Sequence, residues 1–340
     1  MMRLAALTVL VGSAAHAAPP PDPLAAESIV YARGDALYRS DAKGRGEALL
    51  AKLPAKAEVR ALRGDAAGKA LLVDVGGAWS WMPLDGGKPL APLPCAKDGP
   101  AQLSQDGTEV VCRSPKVWAE SIIVTLATGA AAPVAVGSRG ARIVGRGADR
   151  RLVWADAHGV YAAPPGKLAD KKQVAPFAPW TNFLPSPDGA RAIGIYTESV
   201  RKEKQIDQGD QLVGFALDGV GARRKGLPRG VPVEWSHDGQ WILVQDADSA
   251  CILRALGGQY KCWKGFHGAG LAPDGSYALL IGPAKGGTPV APTTSATDDL
   301  AFAPPPASLP LWRGVLNGPN NAPPTQVTAT VDGAAVWLGK

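Results

Sequence analysis

One local pattern recurs along the chain and constrains its fold more than any other feature. It is an apolar run, a polar turn ending in Asp-Gly or its equivalent, then a second apolar run. The clearest copies are Leu184-Pro185-Ser186-Pro187-Asp188-Gly189 before Ala192–Ile195, and Trp235-Ser236-His237-Asp238-Gly239 before Trp241–Val244. Two more are Leu271-Ala272-Pro273-Asp274-Gly275 before Tyr277–Ile281, and Leu103-Ser104-Gln105-Asp106-Gly107 before Glu109–Cys112. Asp-Gly suits a tight hairpin because Gly accepts positive φ without steric cost, while Asp bonds back into its own turn. The pattern therefore predicts short antiparallel strands.

The spacing extends this reading. Asp106 and Asp188 lie 82 residues apart, two steps of 41, and a worn copy sits near the midpoint at Gly147-Ala148-Asp149. Another degenerate copy, Gly64-Asp65-Ala66-Ala67-Gly68, precedes the first clear one. A period of roughly 40 residues with about four strands per unit is the signature of a propeller blade. The most legible unit reads as strands A to D at Val231–Trp235, Trp241–Val244, Cys251–Arg254 and Tyr260–Trp263.

Ring closure is the sharper expectation. Ser28–Arg33, Asp35–Ser40 and Glu47–Leu53 read as strands B, C and D with no A before them, and Ala334–Leu338 is a lone strand at the far end. The tail strand is expected to complete the first blade and so remove two sheet edges. Six internal units plus this composite one predict an all-β, seven-bladed β-propeller, with six blades as the alternative. Two insertions interrupt the period between strands B and C: charged residues Thr197–Gln211, and Pro283–Ser308, rich in Pro, Thr, Ala and Gly and expected to be a loop without structure of its own. Both should emerge on the same face of the ring.

Pro-Ser-Pro-Asp-Gly, Trp-Ser-His-Asp-Gly and Leu-Ala-Pro-Asp-Gly resemble the S-P-D-G repeat of TolB-type propellers, the WD-like repeat of many exported bacterial proteins. The resemblance is close at Asp188, Asp238 and Asp274, fair at Asp106, and covers most of the mature chain as a repeat pattern. It implies a binding platform in the periplasm or cell envelope. The α/β domain that TolB carries before its propeller is not recognised here, since strand-like sequence starts by Ile29.

The N-terminus fits export. A short basic start at Arg3, an apolar run from Leu4 to Val11 and small residues around Ala15-His16-Ala17 read as a signal peptide over residues 1–17, cleaved after Ala17. Residues 18–27 read as a Pro-rich linker, and residues 28–340 as a single domain. No later stretch reaches the roughly 18 apolar residues of a membrane helix, so a periplasmic or secreted monomer is expected. The four cysteines form two local pairs, Cys95 with Cys112 and Cys251 with Cys262. In an oxidising compartment they are expected as disulfides; a zinc site would want a C-x-x-C clamp, which is absent. The net charge of +6 is small for 340 residues, and no basic stripe interleaved with aromatics points to nucleic acid.

A search for catalytic chemistry finds little. No G-x-S-x-G elbow occurs, and only His158, His237 and His267 remain beyond the signal segment. His237 occupies a turn position where a structural role is expected. Asp246-Ala247-Asp248 and Asp298-Asp299 lack the D-x-D-x-D-G register of a calcium loop. Trp154, Trp235, Trp241 and Trp337 fall on inner strands and should pack the core. Trp118, Trp180, Trp263 and Trp312 lie on outer strands or connections and are the candidates for exposed anchors.

The expected function is a non-catalytic interaction platform that docks another envelope protein and uses no cofactor. The candidate contact is the charged cluster Arg201, Lys202, Glu203 and Lys204. The alternative is a glycan or small ligand bound in the central channel; an enzyme with a convergent channel site is the third class.

Overall fold

The computed structural model describes residues 27–338 apart from 86–88, 118–119, 135–138, 157, 177–179, 203–204, 218–229, 247–248, 256–259, 283–308, 317–321 and 333. The signal segment, most of the Pro-rich linker and the second insertion therefore lie outside the described residues.

Every sheet is an antiparallel meander, as short strands joined by tight turns require. The first blade contains β1 (Ser28–Arg33), β2 (Ala36–Asp41) and β3 (Ala48–Lys52). The second is β4 (Val59–Gly64), β5 (Ala70–Val75), β6 (Ala78–Pro83) and β7 (Ala91–Pro92). The third is β8 (Ala101–Leu103), β9 (Glu109–Arg113), β10 (Ser121–Thr125) and β11 (Ala130–Val134). The fourth is β12 (Arg139–Val144), β13 (Arg151–Asp156), β14 (Gly159–Ala163) and β15 (Lys172–Pro176). The fifth has β16 (Trp180–Pro185), β17 (Arg191–Lys202) and β18 (Gln205–Ala216). The sixth is β19 (Val231–Trp235), β20 (Trp241–Gln245), β21 (Ser249–Arg254) and β22 (Tyr260–Lys264). The seventh is β23 (His267–Leu271), β24 (Tyr277–Ile281), β25 (Leu309–Val315) and β26 (Thr325–Val331), after which β27 (Ala335–Leu338) returns to the first.

Among the described residues six of these sheets have four strands and the fifth has three, and residues 218–229, which follow β18, lie outside the described residues. The first strands touch in a closed circuit, β27–β4–β8–β12–β16–β19–β23 and back to β27. They therefore line the axis of a ring. The core is split accordingly into apolar layers between neighbouring sheets. Leu71, Val73 and Met82 meet Val30, Leu37 and Val336 in one layer. Trp241, Leu243 and Ile252 meet Leu271 and Leu280 in another. Each sheet thus buries both faces, which explains why the second strands, such as Ala70–Val75, read as continuous apolar runs rather than alternating ones.

Closure is as expected. β27 pairs with β1, setting Trp337 opposite Ile29 and Val336 opposite Val30. The Trp337 indole N–H donates to Glu27 Oε2 at 2.8 Å, and the Ala32 amide donates to the Ala334 carbonyl at 3.0 Å. Both disulfides are local. Cys251 and Cys262 face each other across β21 and β22, and Cys95 reaches Cys112 on β9 from the connection before β8, with Cα separations of 4.1 and 5.7 Å.

Two expectations are refined by the structure. The charged insertion Thr197–Gln211 is a hairpin made from extensions of the blade's own strands: β17 and β18 run straight through it as a ribbon. Beyond the last rung shared with β16, Trp180 opposite Tyr196, six more rungs continue to Lys202 opposite Gln205. At about 3.3 Å per residue this arm extends about 20 Å from the blade. Pairing its two halves satisfies the backbone groups that face one another, and the outer edges face away from any third strand, so polar sequence suffices. Second, Trp263 is buried at the interface of β22 with Gly314, and Trp312 is half-buried edge-on to Phe266. Neither is an exposed anchor: at these two positions the neighbouring strands cover the indole, although other outer strands such as β3 and β11 are largely exposed. Trp118 lies outside the described residues.

Candidate functional site at the channel mouth

The turns between first and second strands build one face of the ring, here the turn face. In the fifth blade the Ser186 hydroxyl donates to Asp188 Oδ1 at 2.5 Å and accepts the Arg191 amide at 2.9 Å, while the Ala190 amide also reaches Asp188. Ser236 and Asp238 repeat this network, and Ser104 with Asp106 repeats its core. In the second blade Asp65 stands where the others have Ser, and its buried carboxylate accepts the amides of Ala67, Lys69 and Ala70. The worn copy is thus chemically equivalent: one carboxylate replaces a hydroxyl and its partner acid.

Adjacent turns also lock to one another. Gly107 has φ of 68°, and a Cβ there would lie 2.8 Å from Asp65 Cγ. Gly239 likewise packs against Asp188, and Arg191 Nη1 donates to the Gly239 carbonyl at 3.0 Å. Only glycine meets both demands at these positions.

Inside this rigid rim the channel opens into a cavity of about 70 Å³. Arg63 from β4, Gln102 from β8, Arg142 from β12 and Glu234 from β19 line it, with Asp65 and His237 at the rim. Strand register places the four at one level. Arg63 pairs with Leu72, Gln102 with Val111, Arg142 with Val153 and Glu234 with Leu243, each the third residue of a second strand. The β16 and β23 equivalents are Leu184 and Gly270, which add no charge.

The electrostatics follow from enclosure by the strands, although each charged side chain keeps some exposed surface in the channel. Burial pushes the Glu234 carboxyl up to about 7, against the amide of Leu271, which donates to Oε2 at 3.0 Å, and against Arg63 and Arg142. Burial lowers the Arg142 guanidinium to about 9, helped by repulsion from Arg63, which leaves it charged at neutral pH. Arg63 and His237 are also lowered, chiefly by burial. Arg63 Nη1 donates to Gln102 Oε1 at 3.2 Å and its guanidinium lies 5.9 Å from the Trp79 ring. Among the described residues no ion pair closes between either arginine and Glu234, and Arg63 Nε and His237 Nδ1 are buried without a hydrogen-bond partner. A buried donor or acceptor left unmade costs about 1–3 kcal/mol, so the cavity is polar, charged and under-satisfied.

The residues singled out from sequence distribute differently. His237 does line the cavity, whereas His158 sits on an exposed turn of the opposite face and His267 is buried at the start of β23, its imidazole lowered by burial to about 4. Among the described residues no group of three or more His, Cys, Asp or Glu is placed to hold a metal ion. Arg201 and Lys202 end β17 at the tip of the arm, and Lys204 lies outside the described residues, as do Asp248, Asp298 and Asp299. Sequence reasoning missed Arg63, Arg142 and Glu234. The available signal was a charge inside an apolar first strand close before each turn: Arg63 and Glu234 are two residues ahead of Asp65 and Ser236.

Radial sheets closed by strands from both ends and pierced by a channel define a β-propeller, the fold implied by the resemblance to TolB-type repeats. The chain is similar to a protein of unknown function from Desulfotomaculum acetoxidans DSM 771, at 9% identity over 92% of this chain and 99% of that one, with a TM-score of 0.51. It is also similar to a putative TolB from Agrobacterium tumefaciens (14% identity, 90% of each chain, TM-score 0.46) and to apo AztD from Citrobacter koseri (12%, 92% and 97%, TM-score 0.47). No family model and no curated protein matches the chain. At such identities the likeness speaks to the fold alone.

Proposed function

We propose that the protein is an exported, non-catalytic binding module that holds part of an envelope partner in the mouth of its central channel. The observation that carries this reading is the level of charged side chains, Arg63, Arg142 and Glu234, that face the cavity without pairing with one another. A cavity of about 70 Å³ is well below the roughly 300 Å³ at which small-molecule pockets begin. It suits one functional group of a larger partner better than an enclosed sugar ring. The two disulfides and the signal-like N-terminus support an oxidising compartment outside the cytoplasm. Among the described residues no helix is long and apolar enough to cross a membrane.

A second reading is favoured by the ribbon of β17 and β18, whose projecting backbone offers strand edges and a basic tip to a docking protein. The two separate cleanly. Partners captured from envelope extract should be lost with Ala66→Trp, which narrows the mouth, and retained when Thr197–Gln211 is replaced by a two-residue turn. The opposite pattern would transfer the function to the arm.

A further inference from the structure

The charges at the channel mouth also specify what enters. Resting on the reading above, we propose that the mouth is a proton-coupled anion site, in which a small oxyanion bridges Arg63 and Arg142 while a proton resides on Glu234. The ligand class is a carboxylate or phosphate group, either a free ion or the tip of a partner.

Three observations converge on this. Two guanidiniums from different blades face one cavity and neither is neutralised by an ion pair. Guanidinium is the group best suited to grip a planar or tetrahedral oxyanion through paired N–H donors. Arg63 is held by its bond to Gln102 beside it and lies against the Trp79 ring, so its remaining donors are positioned before a ligand arrives. Its buried Nε has no partner.

Glu234 sets the condition. With its carboxylate ionised, the three charges sum to +1; with a proton on it, to +2. An incoming anion repels the ionised form and favours the protonated one, so binding takes up a proton from solvent. The surrounding groups do not undo this coupling. Arg63 on β4 and Arg142 on β12 are the cations that face it. Asp65 at the rim is committed to three amides of its own turn, and burial keeps His237 toward its neutral form. The neighbouring β16 and β23 contribute Leu184 and Gly270 at this level, with His267 at the far end of β23. The Leu271 amide, donating to Glu234 Oε2, fixes the carboxyl in either state.

The test is calorimetric titration of the full chain with acetate, inorganic phosphate and a short acidic peptide, at pH 6 and pH 8. Saturable binding at pH 6 should weaken about tenfold at pH 8, the scale of one unit of differential protonation. Heats measured in buffers of different ionisation enthalpy should show uptake of a fraction of a proton. Glu234→Gln keeps an acceptor for the Leu271 amide, and should bind at pH 8 as tightly as the unaltered protein binds at pH 6. Arg142→Gln should abolish binding while its thermal unfolding stays close to that of the unaltered protein. Binding of the ions alone identifies a free-ion site, and binding of the peptide alone identifies a partner's carboxylate. No saturable binding at pH 6, or binding indifferent to Arg142→Gln or to pH, overturns the proposal. If the ions and the peptide all fail but Ala66→Trp still releases a captured partner, the anion site falls and the mouth reading survives. If they bind while capture survives Ala66→Trp, the reverse holds.

Discussion

On the turn face, the connection between first and second strands is five residues in five of the six internal blades, at 65–69, 104–108, 186–190, 236–240 and 272–276, and six at 145–150. On the opposite face, the connection between second and third strands ranges from two residues at 34–35 to 27 at 282–308, and the fifth blade adds a ribbon. The difference has a physical source. Turn-face connections sit where blades converge on the axis, so each touches its neighbours: Gly107 lies on Asp65, Gly239 on Asp188 and Gly275 on Trp241. Length cannot vary there without disturbing the next blade. The other face joins second strands to third ones, a step farther from the axis, where neighbouring blades diverge. The inner turns therefore fix the geometry of the channel charges, and the connections farther from the axis are free to vary.

The contrast can be broken most forcefully at Gly107. A Cβ there must adopt φ of 68° and intrude on the carboxylate that holds the neighbouring turn. Gly107→Ala should cost about 3 kcal/mol, with ~1–2 from the left-handed backbone and about 1 per disturbed hydrogen bond. Chemical denaturation would register it; a loss under 1 kcal/mol would mean that the turns are not coupled across blades. Ser236→Ala should be milder, about 1–2 kcal/mol. The buried hydroxyl accepts the Trp241 amide and donates to Asp238, but the turn keeps its backbone bond from Gly239 to the Ser236 carbonyl. The seventh blade shows that this loss is survivable. It carries Ala272 at the same position, and Ser276 donates to Asp274 instead.

The same division explains what the sequence could announce. Turn chemistry is local, so Ser186-Pro187-Asp188-Gly189 and its relatives were readable directly, and with them the strands of the sixth blade and the pairing of β27 with β1. Asp65 looked degenerate because its role as Ser and Asp together depends on three amides within five residues, which residue names do not reveal. The charged level was less legible still. Arg63, Arg142 and Glu234 are 79 and 92 residues apart in sequence, and only strand register around a closed ring brings them to one height. The Trp positions failed in the other direction. Trp263 and Trp312 were assigned by strand order, whereas their burial is decided by the neighbouring blade.

The smallest effect should come from the other face, and it is the most discriminating. Replacing Thr197–Gln211 with a two-residue turn removes the rungs from Tyr196 opposite Gln211 to Lys202 opposite Gln205, of which only the first is shared with β16. The arm's pairing is internal, and what it contributes on folding is offset by the entropy of ordering its own residues. The truncated hairpin keeps a two-residue connection, as at 203–204, 34–35 and 76–77, so its closure entropy is unchanged. Global stability should therefore shift by less than about 0.5 kcal/mol, against about 3 for a single methyl at Gly107. Amide exchange would show protection unchanged in the strands that remain. If the truncated chain instead unfolded several degrees lower, the arm would be part of the scaffold, and the division between near-constant inner turns and variable outer connections would not hold.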